Sequence, residues 1–132
     1  MKVKINNTWL ARGERESVAD LQINGRRIIQ IAQLLRADEI KMFDRKNHQT
    51  TVSFSVSRLH SSVQASECFI LEHSTGLPGQ GLVTFVATDD NGRDVERHLQ
   101  AACIEIDESR YIGRSTHHTY TVIGGKMLKQ KP

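Results

Sequence analysis

Apolar and polar residues alternate along several stretches of the chain, which indicates β-strands. The clearest stretch is residues 50–57, TTVSFSVS, where Val52, Phe54 and Val56 fall on one face and the interleaved serines on the other. This pattern predicts a strand with one buried face and one face that meets water or a partner. Residues 40–43 are its predicted hairpin partner, joined to it through residues 44–49.

A second hairpin is predicted around Asn24-Gly25, between strands at residues 18–23 and 28–34. Asn-Gly tolerates positive φ at both turn centres, as a type I′ turn requires. Closer to the start, Val3, Ile5 and the pair Trp9-Leu10 predict either a further strand or an arm.

Residues 61–78, SSVQASECFILEHSTGLP, contain the start and stop signals of a helix. Ser61 and Ser62 are candidate caps, with Gln64 three residues after Ser61 as in a capping box. Gly76 in a left-handed conformation, with Leu77 folded back near Leu71, and then Pro78 would end the helix. We expect a helix over about residues 62–75 that lies as a lid on a β core.

Three more strands are expected in the second half of the chain. They cover residues 82–87, 95–106 and 116–123, the last ending at Gly124-Gly125. Residues 89–92 and 108–110 are predicted turns. The inward parity of residues 95–106 switches midway, which predicts a bulge around Ala101-Ala102.

Seven or eight strands joined by hairpins predict a mainly β fold, all-β or α+β. We expect an antiparallel β-sandwich or partly open barrel with one flanking helix. At 132 residues, the chain suits a single domain over residues 1–132. Residues 1–10 and 126–132 are candidate extended arms for subunit pairing, the alternative being frayed termini.

Charge adds two small basic clusters to an otherwise mixed surface. The net charge is +3, from 18 Lys and Arg against 15 Asp and Glu. The residues predicted to contact DNA or a protein partner are Arg26, Arg27, Lys126, Lys129 and Lys131. A solvated surface is the simpler interpretation of both clusters.

Catalytic and metal-binding patterns are weak. Cys68 and Cys103 are far apart in sequence; a disulfide is arithmetically open, and buried free thiols are the favoured interpretation. His117 and His118 are adjacent, so in a strand they would face opposite sides, and surface or interface positions are expected for them. The sequence therefore predicts no enzyme, no cofactor and no metal.

The chain begins MKVKINNTW, without the apolar run of a signal peptide, and contains no stretch long enough to predict a membrane span. Synthesis and folding in a cytoplasm, without membrane contact, are expected.

Residues 50–125 contain a set of short motifs: FSVSR at 54–58, Ala65, Leu77-Pro78, Gly81, Ala101-Ala102, IGRST at 112–116, Tyr120 and Ile123-Gly124-Gly125. Together these motifs resemble small tail-structural proteins of tailed bacteriophages and prophages. The resemblance implies a β-sandwich with a flanking helix, repeated around an axis in a tail tube, tail tip or head–tail junction.

The resemblance implies a mechanical function, based on contacts between subunits. The chain would be a virion protein made in the bacterial host cytoplasm, a cyclic homo-oligomer that contacts neighbouring tail proteins. It would also be placed to touch DNA non-specifically in a channel. A small nucleic-acid- or protein-binding adaptor is the alternative prediction.

Overall fold

The computed structural model describes residues 1–28, 49–88, 91–125 and 127–128, which form nine strands and one helix. In chain order these are β1 (Lys2–Ile5), β2 (Thr8–Ala11), β3 (Glu16–Ile23), β4 (Arg26–Arg27), β5 (Thr50–Leu59), α1 (Val63–Gly76), β6 (Gln80–Thr88), β7 (Asp94–Ile112), β8 (Ser115–Gly124) and β9 (Met127–Leu128). The predicted strands at 28–34 and 40–43 lie outside the described residues beyond Ile28.

The nine strands form one antiparallel sheet in the order β2-β1-β6-β7-β8-β5-β3-β4, with β9 paired to β7. Phe54 on β5 and Phe85 on β6 are separated by two strands, yet their rings meet edge to face at 6.0 Å. The sheet therefore curls around its own core, as twisted antiparallel sheets do. Among the described residues it is not closed into a barrel, because the terminal strands β2 and β4 are not hydrogen-bonded to each other. The prediction of a mainly β fold with one flanking helix is confirmed.

The alternation in β5 places Val52, Phe54 and Val56 in the core, each at most 1% exposed. Phe54 also stacks on Tyr120 of β8 with the ring centroids 5.3 Å apart. Ser55 departs from the expected wet face, since it is only 6% exposed. Its small side chain lies in the ladder between neighbouring strands and approaches the Thr119 hydroxyl at 3.4 Å.

Most of the first eleven residues belong to the sheet, as strands β1 and β2. Strand β1 pairs with β2 on one side and β6 on the other, and Val3, Ile5 and Leu10 are fully buried. Residues 1–10 are predicted to form either a strand or an arm, and the structure shows strands.

The Asn24-Gly25 turn joins β3 to β4 as its sequence predicts, with φ of 51° and 82° at the two centres. Those positive angles at both positions are what a type I′ hairpin requires.

Helix α1 begins and ends within one residue of the predicted bounds, but its ends are built differently. Ser62, rather than the Ser61 of a capping box, is the N-cap, and its hydroxyl accepts a hydrogen bond from the Ala65 amide at 3.0 Å. At the other end, Gly76 does not take a positive φ. The helix stops because Leu77, which precedes a proline, is extended at φ −85° and ψ 129°.

The expected contact between Leu71 and Leu77 is also wrong. Leu71 is 76% exposed, whereas Leu77 packs against the core. Helix α1 thus contacts the sheet through part of one face and leaves an apolar side chain in solvent.

Strand β7 is longer than predicted. The bulge at Ala101 is confirmed, since Ala101 has a φ of 51° and the ladder with β6 shifts opposite it. The predicted turn at residues 108–110 is wrong, because Glu108 through Ile112 continue the ladder with β8. The chain reverses at Gly113, whose φ is 58°.

Candidate functional site

Arg58, at the end of β5, is the buried charge around which the candidate site is built. It continues the inward parity of Val52, Phe54 and Val56 and is 6% exposed. A buried guanidinium is costly unless its N–H groups are hydrogen-bonded. Here Nη2 donates to the Leu10 carbonyl at 2.5 Å and to the Tyr120 hydroxyl at 2.8 Å.

The remaining contacts of Arg58 bring in two further groups. Its Nη1 lies 3.2 Å from His118 Nδ1, and its Nε lies 3.8 Å from the Glu16 carboxylate. One side chain thereby connects β2, β3, β5 and β8. Because its donors point at protein acceptors, Arg58 fixes the geometry of this end of the sheet.

Burial and the neighbouring charge of Arg58 favour the neutral forms of His118 and His73. Arginine is a donor only, so His118 Nδ1 accepts from Arg58 and Nε2–H donates to the Ser109 hydroxyl at 3.0 Å. Tyr120 accepts from Arg58, so its own proton goes to His73 Nε2 at 2.6 Å. Burial, and then the charge of Arg58, lowers the pKa of both histidines to about 4. Burial also raises the pKa of Tyr120, against the opposing effect of Arg58.

Phe69 attaches helix α1 to this cluster. Its ring stacks on His73 with centroids 4.6 Å apart, and the Arg58 guanidinium carbon lies 4.8 Å from its centre. A cation over an aromatic face adds stabilisation beyond area burial. At the first turn, the Ser66 hydroxyl donates to the Gly113 carbonyl at 2.6 Å. The helix is therefore fixed at both the cluster and the β7–β8 turn.

A groove of about 640 Å³ opens beside the cluster, between α1 and the ends of β2 and β5. Trp9 and Phe69 contribute aromatic walls, and Arg15, Glu16 and Glu72 contribute charges of both signs. The groove is thus a shaped depression of mixed polarity.

Four exposed apolar side chains lie at the same end of the sheet. These residues, the end patch, are Leu59, Val63, Tyr111 and Ile112, whose exposed fractions are 46%, 48%, 44% and 80%. Leu59 and Ile112 share the outer face with Ser115, whereas Tyr111 is on the face of Thr116. Leu59 and Ile112 flank Ser115 from the two strands that neighbour it. The contact of Ser66 with Gly113 brings the helix start, and Val63 with it, to this end.

Of the predicted basic residues, Arg26 and Arg27 are not part of this site. Arg26 and Arg27 are exposed on β4, at the edge of the sheet, and Arg27 lies 3.5 Å from the Asp20 carboxylate. Lys126, Lys129 and Lys131 lie outside the described residues.

The cysteine interpretation is corrected by the structure. Cys68 and Cys103 are both free, and both are exposed rather than buried. Cys68 falls on the solvent side of α1, because Phe69 and His73 define the packed side. Within the described ranges, no group of three or more His, Cys, Asp or Glu side chains is placed to hold a metal ion.

The expected surface position is wrong for His118, which is 1% exposed. Its neighbour His117 does face the other side, where Nδ1 lies 3.1 Å from the Ser57 hydroxyl. The signal that sequence reasoning missed was parity: Thr116, His118, Tyr120 and Val122 share one inward face with Arg58.

The chain matches no protein-family model, no curated protein and no solved structure. Within the part of the chain that the structure describes, no helix combines the length and apolar character needed to cross a membrane.

Proposed function

We propose that the chain is a non-enzymatic structural subunit of a phage tail or related particle, which assembles into a ring through contacts between copies and with neighbouring tail proteins. The end patch is the observation that carries the proposal. Ile112, which is 80% exposed, shares the outer face with Leu59, and the exposed side chains of Val63 and Tyr111 lie at the same end of the sheet. Leaving this apolar area in contact with water is unfavourable unless a partner covers it.

The Arg58 cluster supports the same function. The hydrogen bonds of Arg58 join neighbouring strands, and its contact with Phe69 fixes α1 on them. These contacts make the end of the sheet that carries the end patch rigid. Rigid presentation of an apolar surface lowers the ordering cost of association. A structural subunit, which acts by presenting a fixed surface to its neighbours, benefits from this arrangement.

Light scattering coupled to size-exclusion chromatography, with electron microscopy of the same fractions, tests the proposal. Ring-shaped oligomers are expected for the wild-type chain, alone or with the products of adjacent genes. Ile112→Ser is expected to prevent their formation, whereas Leu71→Ser, which changes an exposed leucine outside the patch, is expected to leave them intact. A wild-type monomer that joins no particle in either setting would refute the proposal.

A second candidate, a nucleic-acid- or protein-binding adaptor, is favoured by the exposed pair Arg26 and Arg27 on an edge strand. DNA affinity that falls steeply with salt, and whose salt dependence decreases in the Arg26→Gln/Arg27→Gln variant, would select this function over the first.

A further inference from the structure

The second half of β7 has a strand partner along one edge alone among the described residues. Strand β6 pairs with β7 from Asp94 to Cys103, and β8 pairs along the opposite edge from Cys103 to Ile112. Within residues 105–112, all side chains are exposed except that of Ile106, which is partly buried. An unpaired edge of this kind is a template for adding a strand from another chain.

Charge along this edge is self-complementary. Glu108 and Arg110 lie on the outer face of the sheet, as their β8 partners Thr119 and His117 do. Their side chains are 55% and 62% exposed and approach each other at 3.7 Å. One acidic and one basic residue therefore lie on the same face of this strand, one on each side of Ser109 in sequence.

When two copies of such a strand pair antiparallel, residues directly opposite each other point to the same face of the sheet. The outward side chains therefore stay outward only if the two-fold axis passes through a residue rather than between two residues, which leaves few registers. Centring on Glu108 or on Arg110 would place two like charges directly opposite. Centring on Ser109 places Glu108 of each copy opposite Arg110 of the other. The bulge between Ile106 and Glu108 limits the ladder at one end.

We propose that the chain self-associates through the open edge of β7, as a two-fold antiparallel strand pair centred on Ser109. Every contact then occurs twice, and the pair closes on itself. The Glu108–Arg110 cross-strand pairs select the register, since opposite charges facing each other stabilise a strand pair and like charges oppose it. The pairing does not depend on the tail function. Glu108 and Arg110, which select its register, are not part of the end patch.

Sedimentation equilibrium over a concentration series tests the pairing with four chains: the wild type, Glu108→Arg, Arg110→Glu and the double exchange. Each single variant turns two attractive pairs into repulsive ones. At about 1 kcal/mol a pair, self-association is expected to weaken about 30-fold. The double exchange restores opposite charges and is expected to dimerise like the wild type.

An equimolar mixture of the two single variants is the most direct test of the charge pairing. Arginine at both positions in one chain faces glutamate at both positions in the other, so a heterodimer is expected where neither variant pairs with itself. Arg12→Glu, in the exposed loop before β3, is the matched control and is expected to leave dimerisation unchanged.

Single variants that dimerise as tightly as the wild type, or a mixture that forms no heterodimer, would overturn the proposal, as would a wild type that stays monomeric. The results for the variants are separable from a failure of the ring. Ile112→Ser is expected to dissolve a ring while keeping the β7 pair, and Glu108→Arg to do the reverse.

Discussion

Acidification is expected to destabilise the protein through its neutral histidines, and His118 permits the clearest test. His118 is 1% exposed and accepts a hydrogen bond from Arg58, so a second positive charge there would face the guanidinium directly. Burial, followed by the charge of Arg58, lowers the pKa of His118 from 6.5 to about 4 in the folded state.

The sign follows from proton binding. Between pH 6.5 and about 4 the unfolded chain binds a proton at His118 that the folded chain does not. Stability is therefore complete above the unfolded pKa and falls as the pH drops toward the folded pKa. A difference of this size is worth about 2 to 3 kcal/mol at about pH 4.5. His73, whose pKa is likewise lowered to about 4 by burial and then by the charge of Arg58, adds a loss of the same sign, and solvent screening reduces that loss because its side chain is partly exposed.

His118→Gln removes the titration while keeping an amide oxygen to accept from Arg58. Urea unfolding followed by the fluorescence of Trp9 gives the free energy of unfolding at about pH 7.5 and about pH 4.5. The wild type is expected to lose about 2 to 3 kcal/mol more than His118→Gln over that interval. His117→Gln, on the opposite face, is the matched control and is expected to follow the wild type. Equal losses in the wild type and His118→Gln would refute the reasoning.

Three further substitutions test separate features by the same unfolding measurement. Tyr120→Phe removes the hydroxyl between Arg58 and His73, and is expected to cost about 1 to 3 kcal/mol because it leaves buried polar atoms unpaired. Ser62→Ala removes the helix cap and is expected to cost about 1 kcal/mol, whereas Ser61→Ala is expected to change stability by less than about 0.5 kcal/mol. Ala101→Gly is expected to stabilise the bulge by about 1 kcal/mol, because Ala101 has a φ of 51°; Ala102→Gly, at a buried neighbour, is expected to destabilise.

Local chemistry was enough to predict several elements from sequence. The Asn24-Gly25 turn, the bulge at Ala101 and the bounds of α1 each depend on the conformational preferences of one or two residues or on a short periodic stretch. Such preferences act within a few residues, so they remain visible in a single chain.

Other features depended on contacts between distant segments. Residues 108–110 have the composition of a turn, yet they are strand because β8 pairs with them. Arg58 and His118 look like surface residues by type, but each is the partner that makes the other's burial tolerable. The parity of β5 and β8 already placed both on the inward face. Residue type outweighed that signal, because a buried charge is uncommon without a partner that one sequence does not reveal.

Charged residues on an edge strand normally prevent pairing with other chains, and β7 could be interpreted as protected in that way. Protection works best when the charges share one sign, because every register then brings like charges together. On the outer face of β7, Glu108 and Arg110 have opposite signs and are two residues apart. Repulsion consequently opposes the registers centred on either of them and favours the one centred on Ser109. The same two side chains that discourage indiscriminate strand addition thus specify a single partner, a second copy of this edge.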